Sequence, residues 1–127
     1  MIESTLDPDQ SILYVRPKSA LEKSDFVKLA EKVDPYIEAH GGLRGLVVEV
    51  RAFPGWESLG ALMAHIRFVR DHHRRIEKIA VVTDSPIGNM AERLASHFVS
   101  AQIRHFASAE VETAKMWITG PGESDAA

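Results

Sequence analysis

The sequence predicts a single α/β domain in which about four helices cover a mixed sheet of about five strands. Three observations lead to this fold class. Two short strand-like segments open the chain, residues 43–50 and 76–83 are apolar runs typical of central strands, and segments with helical spacing separate and follow these runs. We therefore expect a sheet that is parallel in its middle and antiparallel at its first hairpin.

The opening hairpin is predicted from strand formers on either side of a turn. Residues 2–6 and 11–16 are the two strand segments, and the second contains Ile, Leu, Tyr and Val in a row. Residues 7–10 read Asp-Pro-Asp-Gln, a composition typical of turns. We expect the two strands to pair with each other directly.

The first helix is predicted by apolar residues that recur at intervals of three and four within residues 26–37. Its cap is expected at Ser24 or an earlier polar residue, and Gly41 with Gly42 should end it. Pro35 lacks a backbone N–H, so we expect it to bend or divide the helix.

A second helix is predicted over residues 56–75, with an apolar side and a basic side. The apolar side carries Trp56, Leu59, Leu62, Met63, Ile66 and Val69. The basic side ends in Arg67, Arg70, His72, His73, Arg74 and Arg75. Because one helix combines both properties, it is the first place to look for a functional surface.

The last part of the chain repeats the alternation of helix and strand. Asp84-Ser85-Pro86 is a strand-to-helix joint that should start a helix over residues 87–99. Residues 102–107 follow as a last strand, and residues 109–118 as a closing helix after Ser108. We expect one domain over residues 1–120 and a disordered tail over residues 121–127.

Composition limits the classes of function. The chain of 127 residues has a net charge of -3, which argues against a surface built for nucleic acid, and it has no Cys for disulfides or thiolate zinc sites. No apolar run approaches the ~20 residues of a membrane span. Residues 1–6 do not resemble a signal peptide, so we expect a cytoplasmic location, with peripheral contact at the inner membrane face left open.

The chain resembles the SpoIIAA-like family, a bacterial branch of the STAS and Sec14-related fold, over nearly its whole length. The stretches that carry the resemblance are Leu46-Val47-Val48-Glu49-Val50, the aromatic loop with Phe53 and Trp56, the run from Glu77 to Asp84, and Ile103-Arg104-His105-Phe106. None of these is a catalytic signature. The resemblance implies a small carrier or regulator, not an enzyme and without a cofactor, in which movable helices cover an apolar cavity for a lipid-like ligand.

A ligand pocket is predicted between the two helices that follow the parallel strands. Methionine adapts to irregular apolar shapes, which makes Met63 and Met90 its central pair. The other expected lining residues are aromatic or branched: Phe53, Trp56, Leu59, Leu94 and Phe98. The alternative is that the same residues form ordinary core, because an apolar stripe at helical spacing usually does.

The basic side of the second helix suggests contact with an anionic headgroup or membrane surface. Arg67, Arg70 and Arg74 follow helical steps of three and four, and Arg75 extends the cluster. The alternative is a solvated helix face that acidic neighbours partly neutralise.

Ser58 offers a second kind of function. Anti-anti-sigma factors of the STAS group are phosphorylated on a serine at the start of the helix after the third strand, and Ser58 occupies the comparable position here. The resemblance thus allows a regulatory module that captures a protein partner, and it also allows a homodimer. The simpler interpretation of Ser58 is a helix N-cap.

The six histidines do not form a pattern typical of metal sites or catalysis. His72 and His73 are adjacent and diverge on a helix, while His65 and His72 lie two turns apart without an HExxH arrangement. No Ser-His-Asp grouping or phosphate-binding glycine loop is present in the sequence. We expect no metal and no catalytic residues.

Overall fold

A computed structural model describes residues 1–85 and 100–120, and these residues form a mixed α/β fold. The strands are β1 Ile2–Asp7, β2 Ile12–Pro17, β3 Leu43–Glu49, β4 Ile76–Val82 and β5 Gln102–Phe106. The helices within this part of the chain are α1 Lys23–His40, α2 Leu59–His72 and α3 Val111–Thr119, with 3₁₀ turns at His73–Arg75 and Ser108–Glu110. The predicted fold class is confirmed, while the predicted helix over 87–99 and tail over 121–127 lie outside the described residues.

The five strands form one sheet in the order in which they occur in the chain. β1 pairs antiparallel with β2, as the predicted hairpin requires, and the remaining pairs are parallel. Between the two hairpin strands, the Asp7 side chain accepts hydrogen bonds from the N–H groups of Asp9 and Gln10. A sheet with sequential parallel strands places each crossover helix over neighbouring strands.

Both faces of the sheet are covered, which divides the core into two clusters. On one face α1 packs with Leu29, Val33 and Ile37 against strand residues that include Leu13 and Leu46. On the other face Ala114 and Ile118 of α3 pack against alternate strand residues, namely Ile12, Val47, Ala80, Val82 and Phe106. The alternation follows from the two-residue period of a strand.

α1 shows how local residues set the limits of a helix. Glu22 is the N-cap, and Asp25 accepts a hydrogen bond from its backbone N–H in a capping box. Gly41 ends the helix in a left-handed conformation with φ of 87°, as predicted. The predicted division at Pro35 does not occur, because the carbonyl four residues earlier belongs to exposed Glu31, where water can hydrogen-bond to it.

α2 begins later and lies in a different orientation than the sequence suggested. Trp56 precedes the helix and forms a parallel bridge with Leu21. Half of the side predicted to be apolar is exposed: Leu59 is 75%, Met63 46% and Ile66 53% accessible. The other three predicted residues, Trp56, Leu62 and Val69, are partly buried. His72, predicted on the basic side, is instead buried. The protein therefore presents apolar side chains of α2 to its surroundings.

Among the described residues, the helices are too short or too polar to cross a membrane.

Candidate ligand site between the first two helices

An interior cavity lies between α1, α2 and the sheet. Its volume is about 110 Å³. Strand residues such as Val15, Leu46 and Val48 form one wall, and the rings of Phe26 and Phe68 form the opposite wall. Because nearly all of this lining is apolar, the space favours hydrocarbon over water.

A groove runs along the outer surface of the same helix pair. Its volume is about 570 Å³. Val27 and Ala30 of α1 face Leu59 and Met63 of α2 across it. The groove also receives three charged side chains, Lys23, Arg67 and Asp71. It is thus an apolar channel with charged groups on its rim.

A layer of three rings separates the cavity from the groove. Phe26, Phe68 and His72 line both spaces. The Phe26 and Phe68 ring centroids are 6.1 Å apart, and Phe68 stacks on His72 at 4.0 Å. Rotation of these side chains, or separation of the two helices, would join the interior to the surface.

His65 is a polar residue of α2 that lines the cavity. The indole N–H of Trp56 donates to His65 Nδ1 over 3.1 Å, and the imidazole stacks on Phe26 at 4.9 Å. Because an indole nitrogen only donates, Nδ1 must be the acceptor and the neutral ring carries its proton on Nε2. Burial lowers the pKa of His65, which favours this neutral form.

His72 links the two helices that enclose the cavity. Its Nδ1 lies 2.8 Å from the Phe68 carbonyl oxygen, and its Nε2 lies 2.7 Å from Asp34 Oδ1 on α1. A carbonyl can only accept, so Nδ1 donates a hydrogen bond to it. The Asp34 carboxylate contacts the other ring nitrogen, Nε2. This bridge fixes one end of the ring layer.

A family model described as SpoIIAA-like matches residues 12–119. The chain belongs to the SpoIIAA-like family. It is similar to the crystal structure of an uncharacterized protein from the DUF3478 family, with a SpoIIAA-like fold, from Shewanella loihica PV-4. The two chains are 18% identical, with a TM-score of 0.68 over 93% of this chain and 92% of that one, which shows the shared fold. Among curated proteins, none matches this sequence.

The predicted ligand residues of this SpoIIAA-like chain fall into separate places. Phe53 lines the interior cavity and meets Trp56 edge-on at 4.9 Å, whereas Leu59 and Met63 line the outer groove. The remaining three, Met90, Leu94 and Phe98, lie outside the described residues. The described space is thus between α2 and α1, whereas the predicted pocket was between α2 and the helix expected over residues 87–99.

The four predicted headgroup arginines do not share one surface. Arg67 lines the groove, and Arg70 pairs with Asp71 through Nε and Oδ1 at 3.0 Å. Arg74 and Arg75 lie in the 3₁₀ turn after α2 and line a different depression. A 3₁₀ turn advances about 120° per residue in place of 100°, so the helical spacing used in the prediction fails there.

Ser58 is the N-cap of α2. Its hydroxyl accepts a hydrogen bond from the Ala61 N–H over 3.1 Å, as the simpler interpretation required. Lys23 lies beside it: a Cβ built at Gly60 would be 3.1 Å from Lys23 Nζ and 3.6 Å from Ser58 Oγ. The exposed serine therefore has a cation and a free helix end as neighbours.

The residues that form the ring layer were not among the predicted site residues. His65, Phe68 and His72 follow helical steps of three and four on α2, and Phe26 faces them from α1. The same spacing could have indicated this face, because aromatic and imidazole rings are large enough to fill a wide interior. Within the described ranges, no group of three or more His, Asp or Glu side chains could hold a metal ion.

Proposed function

We propose that this SpoIIAA-like chain is a non-catalytic module that binds a small apolar or lipid-like ligand between α1, α2 and the sheet. The SpoIIAA-like fold itself suggests a regulatory or binding module. The observation that carries the finer proposal is the layer of Phe26, Phe68 and His72, which lines an apolar cavity on one side and an apolar groove on the other.

The two volumes define how a ligand would enter. An engineered apolar cavity of roughly 150 Å³ binds benzene, so the cavity of about 110 Å³ suits only a short hydrocarbon segment. Displacement of the ring layer would add the groove of about 570 Å³, enough for a longer chain. Entry in this proposal is gated by movement of α2 against α1.

The groove rim favours a ligand with an anionic end. Lys23 and Arg67 line the groove, and neither forms an ion pair with another described residue. The hydrocarbon would be bound by burial of apolar surface, and the two cations would orient a carboxylate or phosphate.

The exposed face of α2 extends the proposal to a membrane surface. Leu59, Met63 and Ile66 are exposed and lie near Arg67 and Arg70. Apolar residues flanked by cations can insert at an anionic lipid interface, with each cation contributing about 1 kcal/mol. In this proposal the protein collects its ligand at the inner face of the cytoplasmic membrane.

The test uses decanoate and the fluorescence of Trp56. A Trp117→Phe background isolates the Trp56 signal, and Trp117 Nε1 is a buried atom without a hydrogen-bond partner, so its loss breaks no hydrogen bond. Decanoate should raise the melting temperature and shift the emission of Trp56, which bonds to a cavity-lining histidine. If both quantities stay unchanged, the proposal is wrong.

A pair of matched variants locates the ligand. Val48→Phe fills the cavity and should abolish the response to decanoate. Val81→Phe is the control, because Val81 is the register partner of Val48 on the neighbouring strand and does not line the cavity. Equal binding by both variants would place the ligand elsewhere.

The second candidate is a regulatory module that captures a protein partner and is switched at Ser58. It is favoured by the exposure of Ser58 and by the proximity of Lys23, which would pair with a phosphate there. Ser58→Glu separates the two functions, with Ser58→Asn as a control that keeps the cap. A partner lost only in the Glu variant favours the switch, whereas decanoate binding that survives in the Glu variant favours the ligand carrier.

A further inference from the structure

A second depression lies at the end of the sheet where the parallel strands β3 and β4 begin. Its volume is about 650 Å³, and its lining includes Arg44, Arg74, Arg75 and His40. It shares no lining residue with the groove between α1 and α2. The chain as a whole has a net charge of -3, so a cluster of three arginines is opposite in sign to the net charge of the protein.

The turn between α1 and β3 brings the arginines together. Gly42 leaves no room for a side chain, because a Cβ there would come within 2.6 Å of the Arg75 carbonyl oxygen. The turn therefore packs directly on the backbone of Arg75, and the first residues of β3 and β4, Leu43 and Ile76, face each other in register. Arg44 and Arg75 consequently lie at the same end of the sheet.

Two of the three guanidinium groups are held in place by main-chain carbonyls. Arg44 Nη2 donates to the Thr119 oxygen over 2.7 Å, and Arg75 Nη1 donates to the Gly41 oxygen over 3.3 Å. Each guanidinium has five N–H groups, so most of its donors remain for another acceptor. These two side chains are oriented before any ligand arrives.

Arg74 distinguishes a binding site from simple helix capping. Arginines beside helix ends often only neutralise the terminal carbonyls, which accounts for Arg44 and Arg75. Arg74 has neither a hydrogen bond nor an ion pair with any residue in the described part of the chain, yet it lines the same depression. Glu77 is the acidic residue among the described lining and forms no ion pair with these arginines.

We propose that this depression binds a phosphate monoester, carried either by a small soluble molecule or by a lipid headgroup. A phosphate dianion presents oxygens that planar guanidinium groups contact in pairs, and Arg44, Arg74 and Arg75 supply such groups from two chain segments. The depression shares the lining residue Ile76 with the apolar cavity, but its three arginines do not line that cavity. It can therefore bind a phosphate whether or not the chain binds a hydrocarbon.

The first experiment titrates the full chain with inorganic pyrophosphate by isothermal calorimetry. Arg74→Gln removes one charge without touching a described contact and should weaken binding roughly tenfold, the loss expected for one charge-assisted contact. Arg70→Gln is the matched control, because Arg70 pairs with Asp71 away from the depression, and its Kd should stay within about twofold of wild type. Melting temperatures should not differ between these proteins.

The second experiment identifies where the phosphate comes from. Phosphatidylcholine vesicles with and without phosphatidic acid are sedimented with the wild-type and Arg74→Gln proteins. If only pyrophosphate binds, and its binding depends on Arg74, the ligand is a soluble phosphate. If only vesicles with phosphatidic acid bind, and their binding depends on Arg74, the ligand is a lipid headgroup. If neither probe binds, or if Arg74→Gln binds both as well as wild type does, the proposal is overturned, whatever decanoate does at the cavity.

Discussion

At the scale of single residues, the neighbouring groups decide what each histidine of the first two helices does. His65 and His72 lie one above the other on the inner side of α2, but their partners differ. His65 accepts from an indole and is neutral, whereas His72 spans a carbonyl and a carboxylate. His40, at the exposed end of α1, stacks on Tyr36 at 4.2 Å and contacts neither space. The surroundings, not the residue type, set the role.

The first prediction concerns pH and His65. Burial lowers the pKa of this imidazole below its usual 6.5, so the unfolded chain takes up a proton before the folded chain does. The free energy of unfolding should therefore fall as pH drops through about 6.5, and His65 should add little pH dependence above about pH 7.5. His65→Gln keeps an acceptor for Trp56 and should reduce this loss in urea unfolding measured between pH 7 and pH 5.

The matched control for His65 is His40→Gln, which removes an exposed histidine from the end of α1. Its pH dependence should stay closer to wild type than that of His65→Gln. If the free energy of unfolding changed with pH equally in wild type and His65→Gln, the neutral buried state of His65 would be contradicted.

At the scale of elements, the start of α2 depends on one hydroxyl. Ser58 accepts from the Ala61 N–H, and Ala at the cap would leave that donor to water. We expect Ser58→Ala to lower the free energy of unfolding by about 1 kcal/mol. Ser58→Asp should preserve most of the stability, because Asp also caps a helix and favours its positive end. Thermal unfolding measures both, and an unchanged Ala variant would show that the cap does not stabilise the helix.

The pairing of α1 with α2 depends on Asp34. Its carboxylate holds His72 Nε2 at 2.7 Å, and the imidazole is buried while Asp34 is half exposed. We expect Asp34→Ala to cost about 1 kcal/mol, because the ring loses the partner of one nitrogen. Asp71→Ala, which removes a surface pair with Arg70, should cost less than about 0.5 kcal/mol. Equal costs in urea unfolding would reject the bridge as a link between the helices.

The orientation of α2 shows what helical periodicity can and cannot predict. The sequence correctly grouped Leu59, Met63 and Ile66 on one side of a helix, because spacing alone determines which residues share a face. It could not show which face meets the sheet. Here His65, Phe68 and Val69 line the cavity inside, and Leu59, Met63 and Ile66 are exposed outside.

At the scale of the whole molecule, Gly45 fixes how closely α3 approaches the sheet. A Cβ at this position of β3 would overlap the Ile118 side chain. We expect Gly45→Ala to destabilise the protein by about 1–3 kcal/mol, and a second change, Ile118→Val, to recover part of that loss. A double-mutant cycle in urea measures the coupling, and purely additive costs would show that the two residues do not compete for space.

Much of the architecture could be predicted because turns and strands carry local signals. The hairpin followed from its Asp-Pro turn, and the end of α1 followed from Gly41. The candidate sites could not be predicted in the same way, since they depend on long-range contacts. The approach of Asp34 to His72 spans 38 positions in the chain, and no local pattern encodes it.

The sequential order of the strands has a consequence for biosynthesis. Each strand pairs with the one made just before it, so a nascent chain leaving the ribosome already holds the partner that the next strand requires. β1 and β2 can associate first, and every later strand extends an existing edge. Assembly from the amino terminus needs no strand to wait for a distant one, which shortens the time during which a bare edge is open to aggregation.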